Sequence, residues 1–154
     1  MSVHSCWLVV GMACAAVIAS AAEPVVGTWK LNVAKSTYRP GPAPKGETRI
    51  YEAASEGIKV TVKTLEPDGR AVTIHVSANY DGKDYPVNGG GEISAIALKK
   101  VDEYKAESTL MHGSIPVATA VREVSKDGKT MTIMYKGTDR HGQSVNNKAV
   151  YDRE

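Results

Sequence analysis

The sequence predicts an all-β chain folded as an antiparallel up-and-down β-barrel of about 8–10 strands, with an open β-sandwich as the alternative. Three observations predict it. Runs rich in Val, Ile, Thr and Tyr alternate with period two, which is the pattern of half-buried antiparallel strands. Turn signals separate these runs at short intervals, among them Pro67-Asp68-Gly69, Asp81-Gly82, Asn88-Gly89-Gly90-Gly91, Lys126-Asp127-Gly128 and His141-Gly142. No stretch after residue 22 carries a helical period beyond a single turn at Asn32–Lys35. A meander of this length must either pack as two sheets or close, and closure removes the exposed edges that invite aggregation.

The elements follow in order. Residues 1–22 read as a signal peptide. The apolar run Cys6–Ile18 is too short to span a bilayer, which takes about 20 residues, and Ser20-Ala21-Ala22 fits small-residue cleavage after Ala22. Cys14 lies inside the apolar run rather than after it, which does not fit a lipid anchor. Cleavage leaves residues 23–154, the length of one domain. It also removes Cys6 and Cys14, so the exported protein is expected to have no disulfide and a periplasmic or secreted location.

Strands are expected at 25–32, 47–54, 57–66, 70–79, 83–87, 92–99, 102–110, 115–125, 130–137 and 143–152. Residues 58–65 set Ile58, Val60 and Val62 on one face, and residues 71–80 do the same with Val72, Ile74, Val76, Ala78 and Tyr80. Residues 115–123 group Ile115, Val117 and Val121, and residues 130–136 group Met131, Ile133 and Tyr135. Between the first two strands, Pro40, Pro42 and Pro44 exclude helix and favour an extended path.

Composition narrows the function. The chain carries 19 Lys+Arg against 17 Asp+Glu, mixed along its length, for a net charge of +2. Without a basic cluster there is no case for nucleic acid or a charged membrane surface. No stable membrane insertion is expected after signal cleavage, and the protein is expected to be a monomer. No Gly-x-Ser-x-Gly, His-Glu-x-x-His or phosphate-cradling loop appears, so no catalytic residues and no cofactor are assigned. His75, His112 and His141 have no metal-ligand spacing, so no metal site is assigned. A barrel-mouth hydrolase or isomerase using His75 as a base is the enzymatic alternative.

The run Val26-Gly27-Thr28-Trp29-Lys30-Leu31-Asn32 resembles the first strand of the calycin group, the lipocalins and fatty-acid-binding proteins, where Gly-x-Trp closes the barrel floor. It is also similar to a family of small exported bacterial proteins that open on Gly-Thr-Trp-Lys-Leu-Asn, a likeness that implies export and brings no activity. The calycin resemblance implies a barrel around a small apolar ligand. It further implies an arginine over the tryptophan from near the C-terminus, for which Arg153 is a candidate and Lys148 a poorer one. Fatty-acid-binding proteins hold the ligand carboxylate with Arg-x-Tyr in the last strand. The similar place here reads Ala149-Val150-Tyr151, where Tyr151 matches and Ala149 is no cation, so a fatty-acid role is not carried over.

The aromatic set adds one more indication. There are seven Tyr and no Phe. A buried hydroxyl needs a partner, so tyrosine alone suits a half-wet cavity, where the ring packs and the hydroxyl meets water or ligand. Trp29, Tyr51, Tyr80, Tyr135 and Tyr151 are the expected ligand-binding residues. The rival reading is a solid-cored envelope protein that contacts a protein or glycan through the proline stretch 38–44 and the loops.

Overall fold

The structure, a computed structural model, describes residues 21–154; the predicted signal peptide therefore lies almost wholly outside the described residues. Ten strands run as β1 (Gly27–Leu31), β2 (Gly46–Ala53), β3 (Gly57–Leu65), β4 (Ala71–Asn79), β5 (Asp81–Asn88), β6 (Ala95–Lys100), β7 (Lys105–His112), β8 (Ile115–Val124), β9 (Thr130–Thr138) and β10 (Ser144–Arg153). Each pairs antiparallel with its sequence neighbour, and β1 pairs with β10 through Trp29↔Arg153 and Leu31↔Tyr151. The sheet is thus a closed barrel, not an open sandwich. The seam between β4 and β5 is narrow, with registered pairs only at His75↔Asn88 and Val76↔Val87.

β1 spans only half the barrel height. Above it the chain makes a 3-10 turn, Val33–Lys35, capped by the Asn32 side chain accepting from the Lys35 N–H. The segment that follows continues along β10. Thr37 and Lys148 exchange backbone hydrogen bonds, and the Asn146 N–H donates to the Arg39 carbonyl. This strap fills the gap that the short first strand leaves between β10 and β2. The proline stretch within it forms no helix, and its Arg39–Pro40 and Gly41–Pro42 peptide bonds are cis.

The inward face follows the expected alternation on most strands. Ile58, Val60 and Val62 of β3, Ile74 and Val76 of β4, and Ile133 and Tyr135 of β9 all face the interior cavity. β8 is the exception. Ala120 and Arg122 line the cavity, flanked along the strand by the buried Ala118 and Val124, so Val117 and Val121 fall on the outer face. Ile115 is 63% exposed. β8 and β9 approach closely here: a Cβ at Gly137 would meet Ala118 Cβ at 2.5 Å and the Val117 carbonyl at 2.6 Å, so position 137 admits only glycine beside Ala118.

One end of the barrel is packed shut. Trp29, Ile58, Met131, Val124 and Tyr151 are among the largest fully buried side chains. Trp29 donates its indole N–H to the Val25 carbonyl at 2.8 Å. The Arg153 guanidinium lies over its ring at 4.2 Å, as the calycin resemblance implies. That guanidinium also donates to the carbonyls of Val26, Pro24 and Gly128, so it ties the N-terminal segment and the 125–130 turn to the floor. Gly27 makes room for it. Its φ is +137°, and a Cβ there would lie 2.5 Å from Arg153 Nη1.

Candidate functional site

Above the floor the barrel is hollow. A cavity of about 240 Å³ runs from the level of Arg122 to Thr64, Gly90 and Ile93. Its volume equals roughly eight waters at about 30 Å³ each and lies near the lower end of the range for small-molecule sites.

The walls differ in kind. The side built by β3 to β6 is aliphatic, with Val60, Val62, Val76, Val87, Ile96 and Leu98. The opposite side is polar. β2 sends in Glu47, Arg49 and Tyr51 at alternate positions, and β8 sends in Arg122. Strand alternation aims all three β2 side chains inward from one row, about 7 Å apart at ~3.3 Å of rise per residue.

The two cavity arginines are held differently. Arg49 Nε donates to Glu47 Oε1 at 2.6 Å and to the Tyr151 hydroxyl at 3.1 Å. The Tyr151 hydroxyl in turn donates to Glu47 Oε1 at 2.7 Å, and Thr64 Oγ1 donates to Glu47 Oε2 at 3.0 Å. Burial alone would push the Glu47 carboxyl up, but Arg49 and these hydrogen bonds hold it below its usual range. Burial, helped by the Glu47 charge, raises Tyr151 well above the ordinary tyrosine value. Tyr38, reaching in from the strap, is pushed up to about 12, chiefly by burial and then by Glu47. Arg49 is therefore neutralised inside the protein.

Arg122 has no carboxylate within ion-pair distance among the described residues. Its Nη2 donates to the Tyr80 hydroxyl at 3.0 Å, and its guanidinium lies over the Tyr51 ring at 5.1 Å. Its Nε is buried with no hydrogen-bond partner among the described residues. Burial opposes its charge, yet Tyr51 and Tyr80 beside it raise its pKa above the ordinary arginine value. Tyr80 is itself anchored, donating to Glu23 Oε2 at 3.1 Å, and Lys100 pairs with the other oxygen of Glu23 at 2.6 Å. The arrangement is a guanidinium steered by a tyrosine, with a donor left over.

Of the five expected ligand residues, Tyr51 and Tyr135 line the cavity. Tyr80 and Tyr151 stand behind its wall, bonded to the two arginines. Trp29 belongs to the packed floor. His75 lies on the outer face, exposed, with its Nδ1 3.2 Å from Thr61 Oγ1. A base at the barrel mouth therefore cannot be His75. Among the described residues no three His, Cys, Asp or Glu side chains gather as a metal site.

Sequence reasoning missed Arg49, Glu47 and Arg122. The signal for the first two was legible: Glu47, Arg49 and Tyr51 share one alternation face of β2. Arg122 was hidden because Val117 and Val121 made the other face of β8 look like the core.

Ten antiparallel strands closed in sequence order, with a tryptophan floor under an arginine, define a calycin-like barrel. Among solved structures the chain is similar to the zebrafish ileal bile acid-binding protein in complex with cholic acid. The match has a TM-score of 0.53 and 14% identity, and it covers 85% of this chain and 99% of that one. The likeness is one of fold. No protein-family model and no curated protein matches the chain.

Proposed function

We propose that this protein is an exported binding barrel that takes a small, partly apolar ligand carrying one anionic group, without acting on it chemically. One observation carries the reading: Arg122 sits in the cavity wall with no carboxylate partner among the described residues and a buried Nε unbonded among them. A half-buried cation with no counter-ion and a buried, unbonded N–H is costly to keep. A ligand carboxylate would supply the missing charge and hydrogen bonds, while the aliphatic wall takes up the apolar part. The similar bile acid-binding structure supports a ligand role for the fold, and the signal-like start supports export.

The cavity favours this reading over the solid-cored alternative, and the strap is tied to β10 rather than free to present its prolines. Calorimetric titration with decanoic acid and with decanol tests it. The acid should bind at least about tenfold tighter than the alcohol, since the charge-assisted bond exceeds the neutral one by about 1.4 kcal/mol or more. Equal binding of the two, or none by either, defeats the proposal. N-terminal sequencing of the exported form should begin at Glu23.

A further inference from the structure

The polar wall has a second feature that a single anionic group does not use. At the level of Arg122 the cavity offers an unpaired cation. Two and four residues along β2 from Tyr51, it offers the Arg49–Glu47 pair, whose charges already cancel. A strand rises ~3.3 Å per residue, so this pair lies about 7–13 Å along the wall from Tyr51. Both Arg49 and Glu47 line the cavity, beside Thr64. Arg49 spends its Nε on Glu47 and Tyr151, and its remaining guanidinium N–H groups have no hydrogen-bond partner among the described residues. The pair therefore presents donors and an acceptor with no net charge.

We infer that the site is built for a two-ended ligand: a short-chain amphiphile with an anionic group at Arg122 and a neutral oxygen function, a hydroxyl or carbonyl, at the Arg49–Glu47 pair. This rests on the reading of Arg122 as the anion receptor. The electrostatics set an order of preference. A hydroxyl at the far end accepts from Arg49 and donates toward Glu47, so it replaces the water it loses. A methyl end leaves those polar groups unpaired, which is the arrangement that binding sites reject. A second carboxylate is worst, because Glu47 already occupies the charge of Arg49 and repels another anion.

The test compares 10-hydroxydecanoic acid, decanoic acid and decanedioic acid by calorimetric titration at neutral pH. The hydroxy acid should bind about fivefold to tenfold tighter than decanoic acid, the yield of one net hydrogen bond, and the diacid should bind weakest. Glu47→Gln/Arg49→Gln replaces the pair with amides and avoids leaving either charge alone. In that variant the diacid should no longer be disfavoured against decanoic acid, while decanoic acid itself keeps its affinity. If that variant does not fold, Thr64→Val provides the second probe: it removes a donor from Glu47 Oε2 and should enlarge the hydroxy-acid advantage, while decanoic acid keeps its affinity; an unchanged advantage overturns the proposal. Decanoic acid binding as tightly as the hydroxy acid, with both lost in Arg122→Met, overturns the two-ended ligand and leaves the anion receptor standing. Failure of all three acids to bind overturns both.

Discussion

Two arginines enter this barrel, one from β2 and one from β8, and the protein treats them differently. Arg49 brings its counter-ion from two residues away on the same strand, and Tyr151 and Thr64 complete the set. Arg122 has one tyrosine oxygen, the face of another tyrosine and a donor with nothing to bond. Similar burial thus yields a neutralised structural group in one case and, on the proposed reading, a receptor in the other. What separates them is a carboxylate at i−2 on β2 that pairs with Arg49, whereas no carboxylate among the described residues lies within ion-pair distance of Arg122. A cation that the fold does not neutralise is a group whose partner is expected from outside.

The contrast predicts opposite signs for equivalent substitutions. Arg49→Met strands the Glu47 carboxylate in the wall and should lower the unfolding free energy by about 3 kcal/mol or more, read from urea denaturation at neutral pH. A loss under about 1 kcal/mol would mean that water, not Arg49, compensates Glu47. Arg122→Met removes an uncompensated charge and should leave stability unchanged or raise it by about 1–2 kcal/mol, while the preference for acid over alcohol disappears. Destabilisation on the scale of Arg49→Met would make Arg122 a structural group as well. Arg153→Ala, at the packed floor, loses bonds to three carbonyls and the contact over Trp29. It should cost about 1–2 kcal/mol, discounted because the side chain is exposed, and should leave ligand affinity within about twofold.

Smaller effects come from pH. Glu47 is held below its ordinary value near 4.5, so on acidification the unfolded chain takes up this proton before the folded one does. Its contribution to stability is complete above about pH 4.5 and is lost as pH falls through the lower folded value. Tyr38, pushed up to about 12, and Tyr151, raised well above the ordinary tyrosine value by burial, work in the other direction. Their contribution is complete below about pH 10 and is lost as pH rises through their folded values. Urea midpoints should therefore fall at both extremes, and Tyr151→Phe should flatten the alkaline limb. The smallest expected effect is that of His75→Ala, on the outer face, which should stay within about 0.5 kcal/mol and leave binding unaltered.

The fold was legible because its signals are local. Period-two alternation and Asp-Gly or Asn-Gly turns put the strands within a few residues of their observed ends, and Gly27-x-Trp29 pointed to the floor with Arg153 above it. The site was only half legible. Tyr51 and Tyr135 follow from alternation alone. Arg122 depends on which face of β8 turns inward, and there the apolar residues Val117 and Val121 occupy the outer face, so alternation points the wrong way. The closeness of Tyr151 to Arg49 depends on barrel closure. β10 lacks a cation at Ala149, but β2, brought round beside β1, supplies one. No spacing in the sequence records that meeting.

On the proposed reading Arg122 receives the anionic group of the ligand, and the charge state of a bound acid reports on this directly. Decanoic acid labelled with carbon-13 at its carboxyl can be titrated by NMR in complex with the protein. A carboxylate seated against Arg122 should have its pKa lowered below that of the free acid, and Arg122→Met should remove the depression. A bound carboxyl whose pKa is raised, as burial against an apolar wall alone would raise it, would contradict the account.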